Sequence, residues 1–308
     1  EQADAVVVHS AHAIDMARSF FPAIPRGPLM RVPMPQETRA PIDAEGRNRI
    51  RASLGISEHE LLIVSFGFVA DTKLNLEILE ALADPRLRER SELRFVFVGG
   101  MPGDDYGQAV TKAIKDHPMR ERIEVAGFVS QEKYEQYLRA ADVAIQLRQL
   151  SRGETSKSVL DCMSHGLAVI VNDYGSFAEL PDHAVAKIAA VVEPVQVADR
   201  LDAWLRAPTD RLAQAEAGRD YVGKMHSPFV VAEEYERAVA MSIRARKERT
   251  GKELASRLIN AFSKSAKASA SELASVENTL NRMSSEARTR LMVVVPVAAI
   301  VSKGFADG

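Results

Sequence analysis

The residues with the clearest chemical potential lie between Arg148 and Asp161, a stretch that reads RQLSRGETSKSVLD. It gathers Arg148, Arg152 and Lys157 with the hydroxyls of Thr155, Ser156 and Ser158 and the carboxylate of Glu154. An apolar segment, ADVAIQL, leads into it, and an amphipathic segment, KSVLDCMSH, leads out as far as Gly166. The apolar run LAVIV follows. This order predicts a buried strand, a polar loop, a helix and a second buried strand. The loop then supplies hydroxyls and cations at a helix N-terminus, where unpaired backbone N–H groups and the positive dipole end favour an anion. Glu154 and Asp161 stand seven positions apart, about two helical turns. With Glu154 just ahead of the first turn, both carboxylates fall on one side of a cleft. A carboxylate accepts two O–H donors, which suits a diol. The chemistry that fits is that of a phosphate next to sugar hydroxyls; the alternative reading is a well-capped helix with solvated charges.

Two other stretches end in the same kind of residue. LLIVSF runs into Gly67, with Lys73 six positions further on at the start of the next helical segment. RFVFV runs into Gly99, Gly100 and Gly103. Pro102 interrupts this glycine group, so it is not a dinucleotide fingerprint, and no GxxxxGK[ST] loop occurs. Cys162, the only cysteine, sits beside Val159 and Met163 on the apolar side of its helix and reads as a buried thiol. His9 and His12 lack a third ligand at metal spacing.

The positioning elements follow from periodicity. Short apolar runs alternate with longer helical patterns from residue 50 to 225: helices at RIRASLGI, LNLEILEAL (Leu76, Leu79 and Ala83 on one side), YGQAVTKAIKDH, QEKYEQYLRAA, QVADRLDAWLRA and RLAQAEAGRDYVGKM, and strands at LLIVSFGF, RFVFVGG, IEVAGFV, ADVAIQL, LAVIV and AVAKIAAV. Strands apolar on both faces predict a parallel sheet covered by helices, a doubly wound α/β domain. In such a sheet the loops after the strands lie on one edge, so the three polar stretches converge. DAVVV is a further short strand, and AHAIDMARSFF a helix. Residues 22–49, with Pro22, Pro25, Pro28, Pro33, Pro35 and Pro41, show no period and read as a linker. Residues 227–245 form an amphipathic helix. Residues 246–290 are rich in Ala, Ser and charges and read as a helical spacer, and 291–308 as the truncated start of a further unit.

The 308 residues suffice for about two domains on length alone. With 46% hydrophobic and 27% charged residues, the composition is that of a globular protein. A net charge of −2 gives no global attraction to nucleic acid. LMVVVPVAAIV contains Pro296 and is too short to span a bilayer.

The motifs GFVADTK, FVFVGG, GFVSQEKYEQYLRAADVAIQLR and GETSKSVLDCMSHGLAVIVNDYGSFAELP, in this order, resemble the C-terminal, Rossmann-like half of a GT-B glycosyltransferase of the large retaining family numbered four. The resemblance covers residues 50–245. It implies a division into 1–38, a remnant of the N-terminal domain with its linker, and 39–245, a donor-binding domain, followed by the helical tail. It implies transfer of a sugar from a nucleotide-linked donor, UDP- or GDP-linked, with retention, without metal or cofactor. Lys73 and Glu154 match the catalytic positions: Lys73 on the donor diphosphate, Glu154 on the sugar hydroxyls. Asp161 matches the acid that holds the ribose. Gly67, Thr155, Ser156, Lys157 and Ser158 border the donor, with Gly127 and Phe128 at the base. Two departures stand out. Phe68 occupies the place of an arginine, for which Arg148 or Arg152 is a substitute, and the acidic pair is Glu154 and Asp161 at a spacing of seven instead of two glutamates at eight. The resemblance further implies a glycan or lipid-linked acceptor bound by an N-terminal domain that this sequence mostly lacks, and a cytoplasmic location, with attachment to the inner membrane surface as the alternative. The tail is a candidate for oligomer formation or for leading into a further domain. The competing reading is a non-catalytic binding or assembly module of the same fold.

Overall fold

The computed structural model describes residues 3–21 and 29–264. The expected spacer beyond Lys264, the expected unit at 291–308 and three of the linker prolines lie outside these residues. The chain divides into two compact units: Met34–Val231, and the residues up to Pro33 together with those from Ala232 on.

In the second of these, β1 (Val6–Val8) pairs in parallel with β2 (Leu29–Arg31) across α1 (Ala11–Phe20). Ser10 caps α1 by accepting from the Ala13 N–H at 3.0 Å. The His9 ring bonds the Val32 carbonyl through Nδ1 at 2.9 Å. The strand β2 falls inside the stretch expected to be a linker, so the aperiodic reading missed it. Its three residues are too few to show an alternation, and their proline neighbours masked them.

Met34–Val231 is the α/β domain. Its elements are α2 (Ala44–Ser53), β3 (Leu61–Phe66), α3 (Asn75–Leu82), α4 (Pro85–Arg88), β4 (Leu93–Val98), α5 (Asp105–Asp116), β5 (Ile123–Val125), α6 (Gln131–Ala140), β6 (Val143–Gln146), α7 (Lys157–Ser164), β7 (Ala168–Asn172), β8 (Ala186–Ile188), α8 (Pro194–Arg206) and α9 (Pro208–Met225). The six strands are all parallel, in the order β5-β4-β3-β6-β7-β8. Ile63 of β3 joins one apolar cluster, with α3 and α8, while Leu62, Val64 and Phe66 join the other, with α6 and α7. Both faces of the sheet are therefore buried, as the continuous apolar runs require. The last described helix, α10 (Pro228–Lys264), runs without a break through the boundary expected at residue 245.

Three details differ from the sequence pattern. Leu74 takes a left-handed backbone, φ 56, which resets the phase of α3. The buried stripe is then Asn75, Ile78, Leu79 and Leu82, with Leu76 only partly buried. The helix α2 starts at Ala44, well inside the expected linker, because Asp43 caps it through the Gly46 N–H at 2.8 Å. The strand β5 stops at Val125, since Gly127 turns the chain at φ 70.

The ladder between β3 and β6 breaks early. Ile63 pairs with Val143 and Val64 with Ala144. Beyond them the buried Gln146 side chain fills the gap, its oxygen accepting from the Phe66 N–H at 2.6 Å and its nitrogen donating to the Phe66 carbonyl at 3.2 Å when the amide is turned to match. Strand order reverses here, so the crevice opens between these two strands. Gln146→Leu leaves a buried N–H and carbonyl of Phe66 without partners. We expect it to lower unfolding free energy by about 1–3 kcal/mol in a urea melt; an unchanged midpoint would show that the Gln146 bridge does not hold the two strands together.

The two ends of the domain are clasped by one residue. The His226 carbonyl accepts from the Gln36 N–H at 2.7 Å, and its Nδ1 bonds the Met34 carbonyl at 2.9 Å.

Candidate functional site

Lys73 ends a short 3-10 turn, Asp71–Lys73, after β3. Its ammonium lies over the backbone of Gly67, where a Cβ would come within 2.3 Å of Nζ, and Gly67 has a φ of 102 that favours glycine. Gly99 closes in from β4: a Cβ there would meet the Gly67 carbonyl at 2.1 Å. Lys73 has no carboxylate partner among the described residues. Burial, and then the charge of Arg148, push its pKa down to about 8. An ammonium seated this way is short of an anion.

Arg148 follows β6, on the other side of the switch point. Its backbone is held at both ends by Asn172, whose Oδ1 accepts from the Arg148 N–H at 2.9 Å while Nδ2 donates to the Arg148 carbonyl at 2.7 Å. Asn172 is fully buried and also donates to the Ala190 carbonyl at 3.0 Å. The Gln149 N–H donates to the Thr72 carbonyl at 3.0 Å, which ties the loop after β6 to the loop that carries Lys73.

Glu154 precedes α7. Its Oε2 accepts from the Arg152 N–H at 2.7 Å, and its Oε1 lies 3.8 Å from Arg148 Nη1. Its carbonyl accepts from Ser176 Oγ at 2.8 Å. Gly153 turns the loop at φ 87. The Arg152 side chain is exposed. The Thr155 hydroxyl oxygen is buried without a partner among the described residues. Ser156 caps α7 towards the Val159 N–H and lies 3.1 Å from the Ser158 hydroxyl.

Asp161 is reached from another direction. Tyr134 donates to its Oδ2 at 3.1 Å, and Lys157 Nζ bonds its Oδ1 while also donating to Gln36 Oε1 at 2.7 Å. Burial and then the Asp161 charge push the Tyr134 phenol well up, so it stays a donor. These groups line a cavity of about 520 Å³ with Glu135, His165 and Arg39. Gln131, at the start of α6, also borders it.

Thus Gly67, Lys73, Arg148 and Glu154 are gathered round the switch point, whereas Lys157 and Asp161 form a second polar group with Tyr134 and Gln36. The two carboxylates share no hydrogen-bond partner. Phe128 is 95% exposed, and a Cβ on Gly100 would touch Phe68 at 3.2 Å and Phe128 at 3.6 Å. Cys162 is buried, and burial pushes its thiol well up, as a structural thiol requires. The sequence reading missed Asn172, Tyr134 and Gln36. Asn172 leaves a trace, since it is the polar last residue of an otherwise apolar strand; Tyr134 and Gln36 leave none.

The fold and site can be set beside known proteins. The model for glycosyl transferases group 1 matches residues 46–221. Among curated proteins none matches. Several solved structures share the fold. HepE of Anabaena, in complex with UDP-glucose, is 13% identical with a TM-score of 0.65, over 77% of this chain and 64% of its own. The C-terminal domain of a glycosyl transferase group 1 family protein, LpcC, from Francisella tularensis is 22% identical with a TM-score of 0.53, over 63% of this chain and 99% of its own. Sucrose-phosphate synthase from Thermosynechococcus elongatus is 17% identical with a TM-score of 0.64, over 80% of this chain and 60% of its own. The chain therefore spans somewhat less than two thirds of the length of HepE. The match to the family model covers more than half of the 308 residues, and the six-stranded parallel sheet flanked by helices is that of a GT-B Rossmann-like domain: the chain belongs to the glycosyl transferases group 1 family.

Proposed function

We propose that the chain is the donor-binding half of a glycosyltransferase that moves a sugar from a nucleotide-linked donor to an acceptor, with retention and without a metal. The observation that carries this reading is the Lys73 ammonium, seated on Gly67 at the switch point with no anionic partner among the described residues. A diphosphate supplies that anion. As the nucleoside diphosphate leaves, its charge grows, and a fixed cation together with the N-terminal N–H groups of α7 at Ser156–Ser158 stabilises it. Glu154 accepts hydroxyls of the transferred sugar. Asp161 accepts the ribose diol, and Gly127 and Phe128 border the base.

HepE structures hold UDP, or UDP with glucose, or UDP-glucose, which supports UDP as the first nucleotide to try, followed by GDP. The acceptor, a glycan or a lipid-linked sugar, belongs to the other half of a two-domain enzyme, so this chain binds donor and transfers nothing alone. No helix among the described residues is long and apolar enough to cross a membrane. The proposed location is the cytoplasm, with attachment to the inner membrane surface as the alternative.

A thermal-shift series with UDP, GDP, ADP and their glucose and mannose forms tests the reading. A ligand specific to the native state adds about 2.7 kcal/mol at a hundredfold excess over its dissociation constant. One base is expected to raise the melting temperature, and its sugar form to raise it further. Glu154→Ala should lose the extra rise from the sugar without any loss of the rise from the nucleotide. Phe68, an apolar residue in the loop after β3, favours a second reading, a non-catalytic assembly module. That reading expects no shift with any nucleotide, and a change of oligomeric size when residues 246–308 are removed.

A further inference from the structure

The crevice between β3 and β6 holds two cations and half a counter-charge. Lys73 comes from the β3 side and Arg148 from the β6 side, and their loops are bonded to each other through Gln149 and Thr72 at 3.0 Å. Their proximity is strong enough for Arg148 to depress the Lys73 pKa. Glu154 is the carboxylate beside Arg148, and it is only partly available. One oxygen is taken by the Arg152 N–H, and the other stands 3.8 Å from the guanidinium, beyond hydrogen-bond reach. Phe68 follows Gly67 and adds no charge; its ring lies against Gly100. Like charges held together in a half-buried crevice repel each other, and an anion of more than one charge relieves the repulsion.

We propose that Arg148 is the second cation of the diphosphate site, and that its side chain turns from Glu154 to the phosphates when a diphosphate binds. This rests on the reading of the crevice as a nucleoside-diphosphate site. The geometry favours a turn of the side chain alone. Asn172 fixes the Arg148 backbone on both sides, so the loop does not have to move. The 3.8 Å pair is about a quarter exposed on the arginine side and over a third on the glutamate side, and such pairs are weak. A guanidinium meets phosphate oxygens as a planar fork, which the compact Lys73 ammonium cannot. The exchange has a second effect. Glu154 loses its counter-charge when the diphosphate arrives, and its Oε1 is left to accept a hydroxyl of the sugar while Oε2 stays on the Arg152 N–H. Arg148 thus couples occupation of the phosphate subsite to the readiness of the sugar subsite.

Calorimetric titration of the 308-residue chain with UDP, GDP and ADP, and with the corresponding monophosphates, tests this. Arg148→Ala is expected to weaken binding of the preferred diphosphate by about tenfold or more, and to change monophosphate binding much less. Arg148→Lys, which keeps the charge but not the fork, should fall between. Adding Phe68→Arg to Arg148→Ala places a guanidinium on the β3 side of the crevice and is expected to recover most of the loss. Glu154→Gln should tighten the diphosphate severalfold, because it frees Arg148. Wild-type affinity in both Arg148 variants, with Lys73→Ala still weak, would overturn the assignment and leave the donor reading standing. Equal losses for mono- and diphosphate in both variants would also overturn it. If none of the three diphosphates binds the unmodified chain, the donor reading falls, and this inference falls with it.

Discussion

Asp142→Ala is expected to lower the free energy of unfolding by about 3–5 kcal/mol, the size seen when a buried ion pair loses one partner. Asp142 stands just before β6, at the amino end of the sheet and away from the crevice. Its Oδ2 accepts from the Leu62 N–H at 2.9 Å and lies 3.3 Å from Arg51 Nη1. Its Oδ1 lies 2.8 Å from Arg47 and 3.4 Å from Arg211. The Arg51 side chain is 1% exposed and also donates to the carbonyls of Ser57 at 2.8 Å and Ala140 at 2.7 Å. Burial pulls the Arg51 pKa down against the pull of Asp142 in the other direction. Without the carboxylate, a buried guanidinium loses its counter-charge and a backbone N–H loses its acceptor. Arg47→Ala makes the control: that side chain is 31% exposed, and its loss should cost less than about 1 kcal/mol. Urea melts at constant slope make the comparison. Equal, small effects of the two substitutions would show that water screens the cluster. Nucleotide binding should be the same in both variants at temperatures where each is folded.

The second large effect concerns pH. Burial, and then the charge of Arg148, lower the Lys73 pKa to about 8. Diphosphate binding needs the ammonium and raises its pKa. Affinity should be level below about pH 8 and fall above it, at a slope approaching tenfold per pH unit. Lys73→Arg keeps its charge and should flatten the profile; Lys73→Ala should lose about tenfold to a hundredfold at pH 7 and show no break near 8. The folding equilibrium carries the opposite sign. An unfolded lysine titrates near about 10.4, so between about pH 8 and that value the unfolded chain binds the extra proton, and stability rises with pH. Below about 8 both states are protonated and the term is constant. Lys73→Met should remove the rise. A binding profile in the unmodified chain that is flat from pH 7 to 9.5 would mean that Lys73 does not meet the ligand's charge.

The sheet was legible because its strands are apolar on both faces, a pattern that exposed strands do not produce. Each of the six was recognised from its run of Val, Ile, Leu and Phe. The failures were local and share a cause. The strand β2 is three residues long, below the length at which periodicity carries information. The phase of α3 is set by the left-handed Leu74, a backbone choice that its sequence does not advertise. Lys73, Arg148 and Glu154 were readable as a group because all follow strands of one parallel sheet, so their convergence is a matter of topology. Asn172, Tyr134 and Gln36 act through contacts between residues far apart in the chain, and a single sequence does not record those. The same holds for Arg47 and Arg51. They stand four apart on α2 and look like solvated charges, yet Asp142 gathers them against the end of the sheet.

The His226 clasp bears on how this domain can be handled as a part. It joins the residue after Met34–Pro35 to the turn before Pro228, close to the two points where the chain passes into and out of Met34–Val231. A body whose two ends meet behaves as a cassette. It can be lifted out at that single seam without opening its sheet, and its ends can be joined by a short bridge with new ones cut in an exposed loop elsewhere. The chain enters and leaves Met34–Val231 at the same seam, so length changes on either flank leave the register of its six strands untouched.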